Sequence, residues 1–576
     1  MAKTITSIVL MLILSSASLL ACTSYLVTKG ASVDGSTMIS YAADSHIRYG
    51  ELYFRQGGKN EPGSLVDVRS RSTNRLLTRI PQAPETYTVV GYMNENQVSI
   101  GESTFGGRSE LQDSTGLMDY TALMFIALDR SRTAREAIRI MAELIKKYGY
   151  HSYGQSFSIA DKHEVWMMEM IGKGTRMVHN RRTRSMENAD KGAVWVAVRI
   201  PDGYISAHAN HARIMQFPLH NGKTSINCNN LKLIDSPEVE VIHSTDVIDF
   251  ARRKGYYLGS NEDFSFSCVY APINFESARF CEMRVWSFFR KFNSQMDKYE
   301  QYAAGYDLKN RMPLYIKPDR KLSVQDLIFS KRDHMQGTEY CMTQDAGAGP
   351  HGLPYRWRPL TWEYNGRKYF HERVTATQQT GFSYITQARS WLPDPIGGIS
   401  WFGVDDTGTT VYVPMYCGML AAPETFAEGN GDILTYTPTS AFWTFNKVAN
   451  FAYLRYDLMS VDIRKLQSAL ENRFFSLIPE TDKKALALFN DNPMQARRVL
   501  TDFSVNEANT TVSMWNDLFH FLLVKYMDGN MKQEKDGQFL RNPYGYPATP
   551  RHIEYPDSWK KLIVESTGDK FLVPGE

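Results

Sequence analysis

The sequence predicts an α+β fold with a helical extension at its C-terminal end, on three observations. Short apolar runs separated by turn residues dominate the first half, a capped amphipathic segment interrupts them, and helical periodicity takes over from about Ala441. In chain order, Cys22 to Thr28 alternates toward an apolar strand, Val33-Asp34-Gly35-Ser36 supplies turn chemistry, and Thr37 to Tyr41 returns as a second strand. That hairpin brings Asp44, just past the returning strand, near Cys22. Tyr87 to Tyr92 and Gln97 to Gly101 make another strand pair around Asn94-Glu95-Asn96. Thr133 opens a helix, because Thr133 and Glu136 form a capping-box pattern and Ala134, Ala137, Ile138, Met141, Leu144 and Ile145 fall on one face. Ser156 to Ala160 and Val165 to Met170 flank Asp161-Lys162-His163-Glu164 as a hairpin, and Ala193 to Arg199 leads through Pro201-Asp202-Gly203 to a strand at Tyr204 to Ala207.

Beyond these, Ser323 to Arg332 reads as helix and Thr409 to Pro414 as strand. Tyr453 to Phe475, Asp482 to Asn490 and Asn506 to Tyr526 are helical, and the polar, Pro- and Gly-containing stretch Asn530 to Asp557 is expected to wrap the surface. The expected organisation is a leader over 1–21, a main domain over 22–430 and a helical extension over 431–576. With 576 residues and 43% apolar composition the chain can bury a large core, or more than one. A net charge of +3 is too balanced to argue for nucleic acid or an anionic membrane. After the leader no apolar run approaches the roughly 20 residues of a transmembrane helix. The sequence leaves the oligomeric state open, a homo-oligomer included.

Chemistry concentrates at Ala21-Cys22. Lys3, the apolar run Ile8 to Leu14 and the small residues Ser15 to Ser18 follow the order of a secretory signal peptide, so Cys22 stands where the mature chain would begin. An N-terminal cysteine carries its own base: its α-amine has a pKa near about 7.7 to 8.0 and its thiol near about 8.5, so one residue supplies general base and nucleophile. Leu19-Leu20-Ala21-Cys22 also resembles a bacterial lipobox, in which the same cysteine becomes a lipid anchor and cannot catalyse. Both readings, and a plain export signal, stay open at the junction itself. The other cysteines, Cys228, Cys268, Cys281, Cys341 and Cys417, lack CxxC spacing, so zinc is not expected and at most two disulfides could form. His46, His208 and His211 have no metal-ligand spacing and read as surface or core histidines. Asp405-Asp406 with Gly408 reads as a turn rather than a calcium loop, and the tail aromatics as core.

Several segments together resemble the dipeptidase A-like family of cysteine N-terminal-nucleophile (Ntn) peptidases. They are Cys22-Thr23-Ser24 with Gly30 to Ser36, the stretch Met93 to Arg108, Thr133 to Ala137, Ala207-His208-Ala209-Asn210-His211, Arg332-Asp333-His334, Leu392 to Gly398 and Tyr412-Val413-Pro414. The resemblance runs from Cys22 to about Gly418. It extends to the wider group of penicillin V acylases and bile-salt hydrolases, and implies a four-layered αββα sandwich.

What the resemblance implies for the site can be laid on matching positions. Cys22 would attack the scissile carbonyl, with its α-amine moving the proton, and Asp44 would hold the amine or thiol in place. Asn210 would supply an oxyanion donor, with Ser103 as a loosely aligned second. Arg279 would support the thiolate, Arg284 being a close competitor. One departure stands out: bile-salt hydrolases carry an arginine three residues before the aspartate, whereas this chain has Tyr41-Ala42-Ala43-Asp44. The expected function is an exported cysteine peptidase that cleaves dipeptides or short peptides through an acyl-enzyme, without metal or organic cofactor. The alternatives are an acylase of another linear amide, such as an N-acyl amino acid or a penicillin, and a lipid-anchored, catalytically inactive peptide-binding protein of the envelope.

Overall fold

The computed structural model describes residues 21–70, 73–355 and 359–575, so the expected leader lies outside the described residues except for Ala21. The fold is α+β, built on two large sheets. The first is antiparallel and runs Tyr315–Ile316, Ile205–His208, Ser24–Val27, Thr37–Asp44, Thr380–Ala388, Gly398–Val404, Val413–Tyr416, with Ala21–Cys22 added beside Thr37–Asp44. The second runs Ser225–Asn227, Val241–His243, Ala193–Arg199, Val165–Gly172, Gly154–Ala160, Ser99–Gly106, Met93–Asn94, Val89–Val90, Phe54–Arg55.

The sheets lie face to face: Ser99–Gly106 and Gly154–Ala160 of the second pack on Ser24–Val27 and Thr37–Asp44 of the first. Helices cover the outer faces. Tyr120–Arg130 and Ala134–Tyr148 pack on the second sheet, and Met283–Phe292 and Val324–Lys331 on the first. With both faces covered, Thr37–Asp44, Gly154–Ala160 and Val165–Gly172 are buried along their whole length, which is why they read as continuous runs rather than strict alternations.

The hairpin of Ser24–Val27 and Thr37–Asp44 forms as expected, with Leu26 opposite Ile39. The pair expected around Asn94-Glu95-Asn96 is more elaborate. Gly91, at φ +62°, folds Val89–Val90 back onto Met93–Asn94, which in turn pairs with Ser99. The strands on either side of Pro201-Asp202-Gly203 do not pair with each other, because the turn carries the chain from the second sheet to the first. The strand expected at Thr409 to Pro414 begins only at Val413, since Asp406 holds the preceding turn: Gly408 N donates to its Oδ1 at 2.9 Å and Thr410 N to its carbonyl at 2.9 Å. In the tail, Ala441–Ala452 packs on Gly398–Val404, and Tyr456–Phe489 and Pro493–Lys525 pack on Val413–Tyr416. Among the described residues no helix is long and apolar enough to cross a membrane.

Candidate functional site

Cys22 sits where the first sheet meets the second. Ala21 pairs with Asp44 and Cys22 with Ala43, so the hairpin expected from the sequence delivers the carboxyl beside the cysteine. In the described chain the Cys22 nitrogen is a peptide amide joined to Ala21, and it donates to Asn210 Oδ1 at 2.8 Å. The Cys22 carbonyl accepts from Arg284 Nη1 at 2.8 Å, and Sγ lies 3.5 Å from Tyr41 Oη and 3.6 Å from Glu102 Oε1. Burial, then the nearby Glu102 and Asp44, push the thiol well above its ordinary pKa, while Tyr41 and Arg48 pull it down. Cys22, Tyr41, Ala43, Asp44, Ser45, Arg48, Glu102 and Tyr120 line one narrow pocket.

Asn210 follows the strand Ile205–His208 at φ +60°, a left-handed conformation that asparagine tolerates better than most residues. Two donors fix which way its amide points: Cys22 N and Arg284 Nη2, the latter at 2.9 Å, both address Oδ1. Its Nδ2 donates to Thr104 O at 2.7 Å. Ser103 supports this turn from the second sheet. Its Oγ accepts from Asn210 N at 3.3 Å and bonds His208 Nδ1 at 2.6 Å, and His208 Nε2 meets Ser158 Oγ at 2.7 Å. Burial holds His208 down to about 3 and His211 down to about 4, so both are neutral core histidines, whereas His46 is exposed.

Asp44 is buried, and burial raises its carboxyl to about 6 against the opposing pull of Arg373, Thr380, Arg284 and Lys331. Thr380 Oγ1 donates to Oδ1 at 2.8 Å, and Oδ2 has no hydrogen-bond partner. Lys331, whose Nζ donates to Thr23 O at 2.5 Å, is itself held down to about 7 by burial.

The arginine that bonds Cys22 is Arg284. Arg284 is fully buried and ties the site together: besides Cys22 O and Asn210 Oδ1 it reaches Thr23 Oγ1 at 2.8 Å, Ala209 O at 3.2 Å and Phe280 O at 2.9 Å. Arg279 stands on the π-helical turn Ala278–Glu282, where its guanidinium is paired with Glu372 and lies 4.5 Å over the Tyr340 ring. None of the contacts of its guanidinium among the described residues is to Cys22.

Sequence reasoning missed Glu102. It belongs to the strand Ser99–Gly106, is 2% exposed, and accepts from Tyr41 Oη through Oε1 at 2.7 Å. Its signal was a carboxylate directly after the strand expected at Gln97 to Gly101. Tyr41 occupies the position three residues before Asp44, where the departure from bile-salt hydrolases was noted, and puts a hydroxyl there against the cysteine. Asp405-Asp406 forms a turn held by Asn446 and Tyr453, and all six cysteines are free.

A family model described as Peptidase family C69 matches residues 60–469. The chain is 23% identical over 427 residues to a "Probable dipeptidase" of Salmonella dublin, covering 69% of this chain and 82% of that protein. It is 24% identical over 483 residues to "Probable dipeptidase B" of Lactococcus lactis subsp. lactis, covering 80% and 88%. It is 22% identical over 540 residues to "Dipeptidase A" of Lactobacillus helveticus, covering 88% and 98%. With most of its length inside the matched segment, the chain belongs to peptidase family C69.

Proposed function

We propose that the protein is an exported cysteine dipeptidase that acts through Cys22 as an N-terminal nucleophile. The helix-sheet-sheet-helix order supports the Ntn sandwich expected from the resemblance, and the names of the relatives support dipeptides as substrates. The observation that carries the reading is the double anchoring of Cys22. Its nitrogen is on Asn210 Oδ1, and its sulfur faces a pocket holding Tyr41 and Glu102. Cleavage between Ala21 and Cys22 turns that nitrogen into an α-amine already held beside its own thiol.

In this mechanism the amine takes the thiol proton and Sγ attacks the scissile carbonyl, forming a tetrahedral oxyanion. Asn210 Nδ2, which donates to Thr104 O at 2.7 Å, is the group to which the family resemblance assigns the oxyanion. The α-ammonium then protonates the leaving amine, leaving a thioester that water, deprotonated by the same amine, hydrolyses. Arg284 fixes the Cys22 carbonyl and Asn210 Oδ1 with a charge that does not titrate. A buried thiol supports this reading over a lipid-anchored Cys22, because a thioether-linked diacylglyceryl group would have to leave the same narrow pocket.

The test is the mass of the N-terminal peptide of the exported protein together with dipeptide hydrolysis. An unmodified chain beginning at Cys22 that hydrolyses free dipeptides, and loses at least about 1,000-fold in kcat with Cys22→Ala, is the expected result. An N-acylated, lipid-modified Cys22, or activity that survives Cys22→Ala, would sink it.

A further inference from the structure

Two carboxylate oxygens in the Cys22 pocket are buried without a hydrogen-bond partner: Asp44 Oδ2 and Glu102 Oε2. A buried acceptor left unsatisfied is costly, so each points to a donor that arrives later. The proposed mechanism brings two ammonium groups to this pocket, one on the mature Cys22 and one on a dipeptide. Backbone register sorts them. Ala21 is paired with Asp44, so the amine released at Cys22 emerges next to Asp44, whose charge also feels Arg373, Arg284 and Lys331. Glu102 has Tyr41 on Oε1 and a more distant Arg48, whose Nη2 is on Tyr120 Oη at 3.1 Å, and it makes no ion pair within 4 Å among the described residues.

We propose that Glu102 takes the free α-ammonium of the substrate and so restricts cleavage to peptides whose scissile carbonyl belongs to their first residue. The inference rests on the dipeptidase reading above. Its geometry is direct. At attack the carbonyl carbon sits about 3 to 3.5 Å from sulfur, and the substrate α-nitrogen is two bonds, about 2.5 Å, from that carbon. Glu102 Oε1 is 3.6 Å from Sγ, so the unpartnered Oε2 of the same carboxylate and the substrate nitrogen both fall within about 6 Å of the sulfur, close enough for the two to meet. Tyr41 donates to Oε1, which leaves Oε2 as the acceptor without a partner. An N-acylated or des-amino substrate places no cation there, and binding it leaves the Glu102 oxygen unsatisfied.

The experiment compares a free dipeptide with its des-amino analogue on enzyme beginning at Cys22. Glu102→Gln should lose about 100-fold more in kcat/KM on the free dipeptide than on the des-amino analogue, with the difference carried mostly by KM. Glu102→Asp, which keeps the charge on a shorter stem, should raise KM for the free dipeptide alone, and it serves as the second variant if the amide does not fold. Equal losses on both substrates would assign Glu102 to the nucleophile and overturn the proposal, as would an unchanged KM. A loss confined to the free dipeptide in Asp44→Asn but not in Glu102→Gln would overturn it in favour of Asp44. Wild-type enzyme that cleaves neither substrate removes the dipeptidase reading itself, whereas dipeptide cleavage indifferent to Glu102 removes only this assignment.

Discussion

Burial raises the Glu102 carboxyl from 4.5 to about 7, with Tyr41, Arg48 and Cys22 pulling it down and Asp119 pushing it further up. Between those two values the unfolded chain has released a proton that the folded chain keeps, so stability falls as pH rises through that interval and levels off above about 7. Replacing Glu102 by Gln keeps an acceptor for Tyr41 and removes the ionisation. The variant should therefore gain on the wild type progressively from pH 4.5 to 7, by about 3 kcal/mol in all, and by nothing more beyond. Melting temperatures of the two proteins across this range check it, and a gap that does not change with pH would count against a protonated Glu102. At this scale the sequence placed Asp44 beside Cys22, because the hairpin that joins them is a local feature, and the family resemblance picked out Asn210, which the structure brings to the Cys22 nitrogen. It could not choose between Arg279 and Arg284. The choice is made by Glu372, 93 residues from Arg279, and by Asn210, 74 residues from Arg284. Glu102 stayed hidden for the same reason, since its partner Tyr41 is 61 residues away on the other sheet.

Helices and strands were legible where their signals are local. Thr133 caps Ala134–Tyr148 as expected, although the Glu136 carboxylate reaches Arg132 N and not Thr133 N. The tail was not read in full: Tyr456–Phe489 is one helix of 34 residues, where the pattern suggested a break between Phe475 and Asp482. Pro479 lies inside that gap, and an interior proline costs a helix about 3 kcal/mol. Tertiary contacts just beyond it offset this cost. Asp482 accepts from Arg389 Nη1 at 2.5 Å and from Tyr416 Oη at 2.7 Å, and Arg389 also bonds Gly397 O and Ile396 O from a buried position. Arg389→Met leaves Asp482 without its cation next to the proline, and should destabilise the protein by about 3 kcal/mol. Arg55→Met, which breaks an exposed pair with Glu428, should cost no more than about 1 kcal/mol. Denaturant midpoints of the two variants test the comparison, and similar shifts would mean that Arg389 does not hold the helix to the sheet.

The site exists because the two sheets come close together at one place. Cys22, Tyr41 and Asp44 belong to the first sheet, and Glu102, Ser103 and Thr104 to the second, so none of the Cys22–Glu102, Tyr41–Glu102 or Asn210–Thr104 contacts survives a change in sheet separation. Gly101 sets that separation locally. A Cβ at this position would stand 3.3 Å from Tyr384 Oη, 3.4 Å from Tyr41 Cβ and 3.7 Å from Ser24 Oγ, all on the opposite sheet. Tyr384 is itself anchored by its hydroxyl on Ile100 O at 2.7 Å and stacks on Tyr92 with centroids 4.9 Å apart, so it cannot retreat without breaking a buried bond. The yielding partner is Tyr41, whose hydroxyl holds both Glu102 and the Cys22 sulfur. Gly101→Ala should be tolerated with a small loss of activity. Gly101→Val adds three carbons to a closed interface, and should cost about 1 to 3 kcal/mol in stability and at least about 10-fold in kcat/KM through the displaced tyrosine. Measured together, the unfolding midpoint and kcat/KM separate two outcomes. If activity falls further than the folded fraction can explain, sheet spacing positions Tyr41 against the Cys22 sulfur. If Gly101→Val is destabilised yet fully active when folded, the position of Tyr41 does not depend on that spacing.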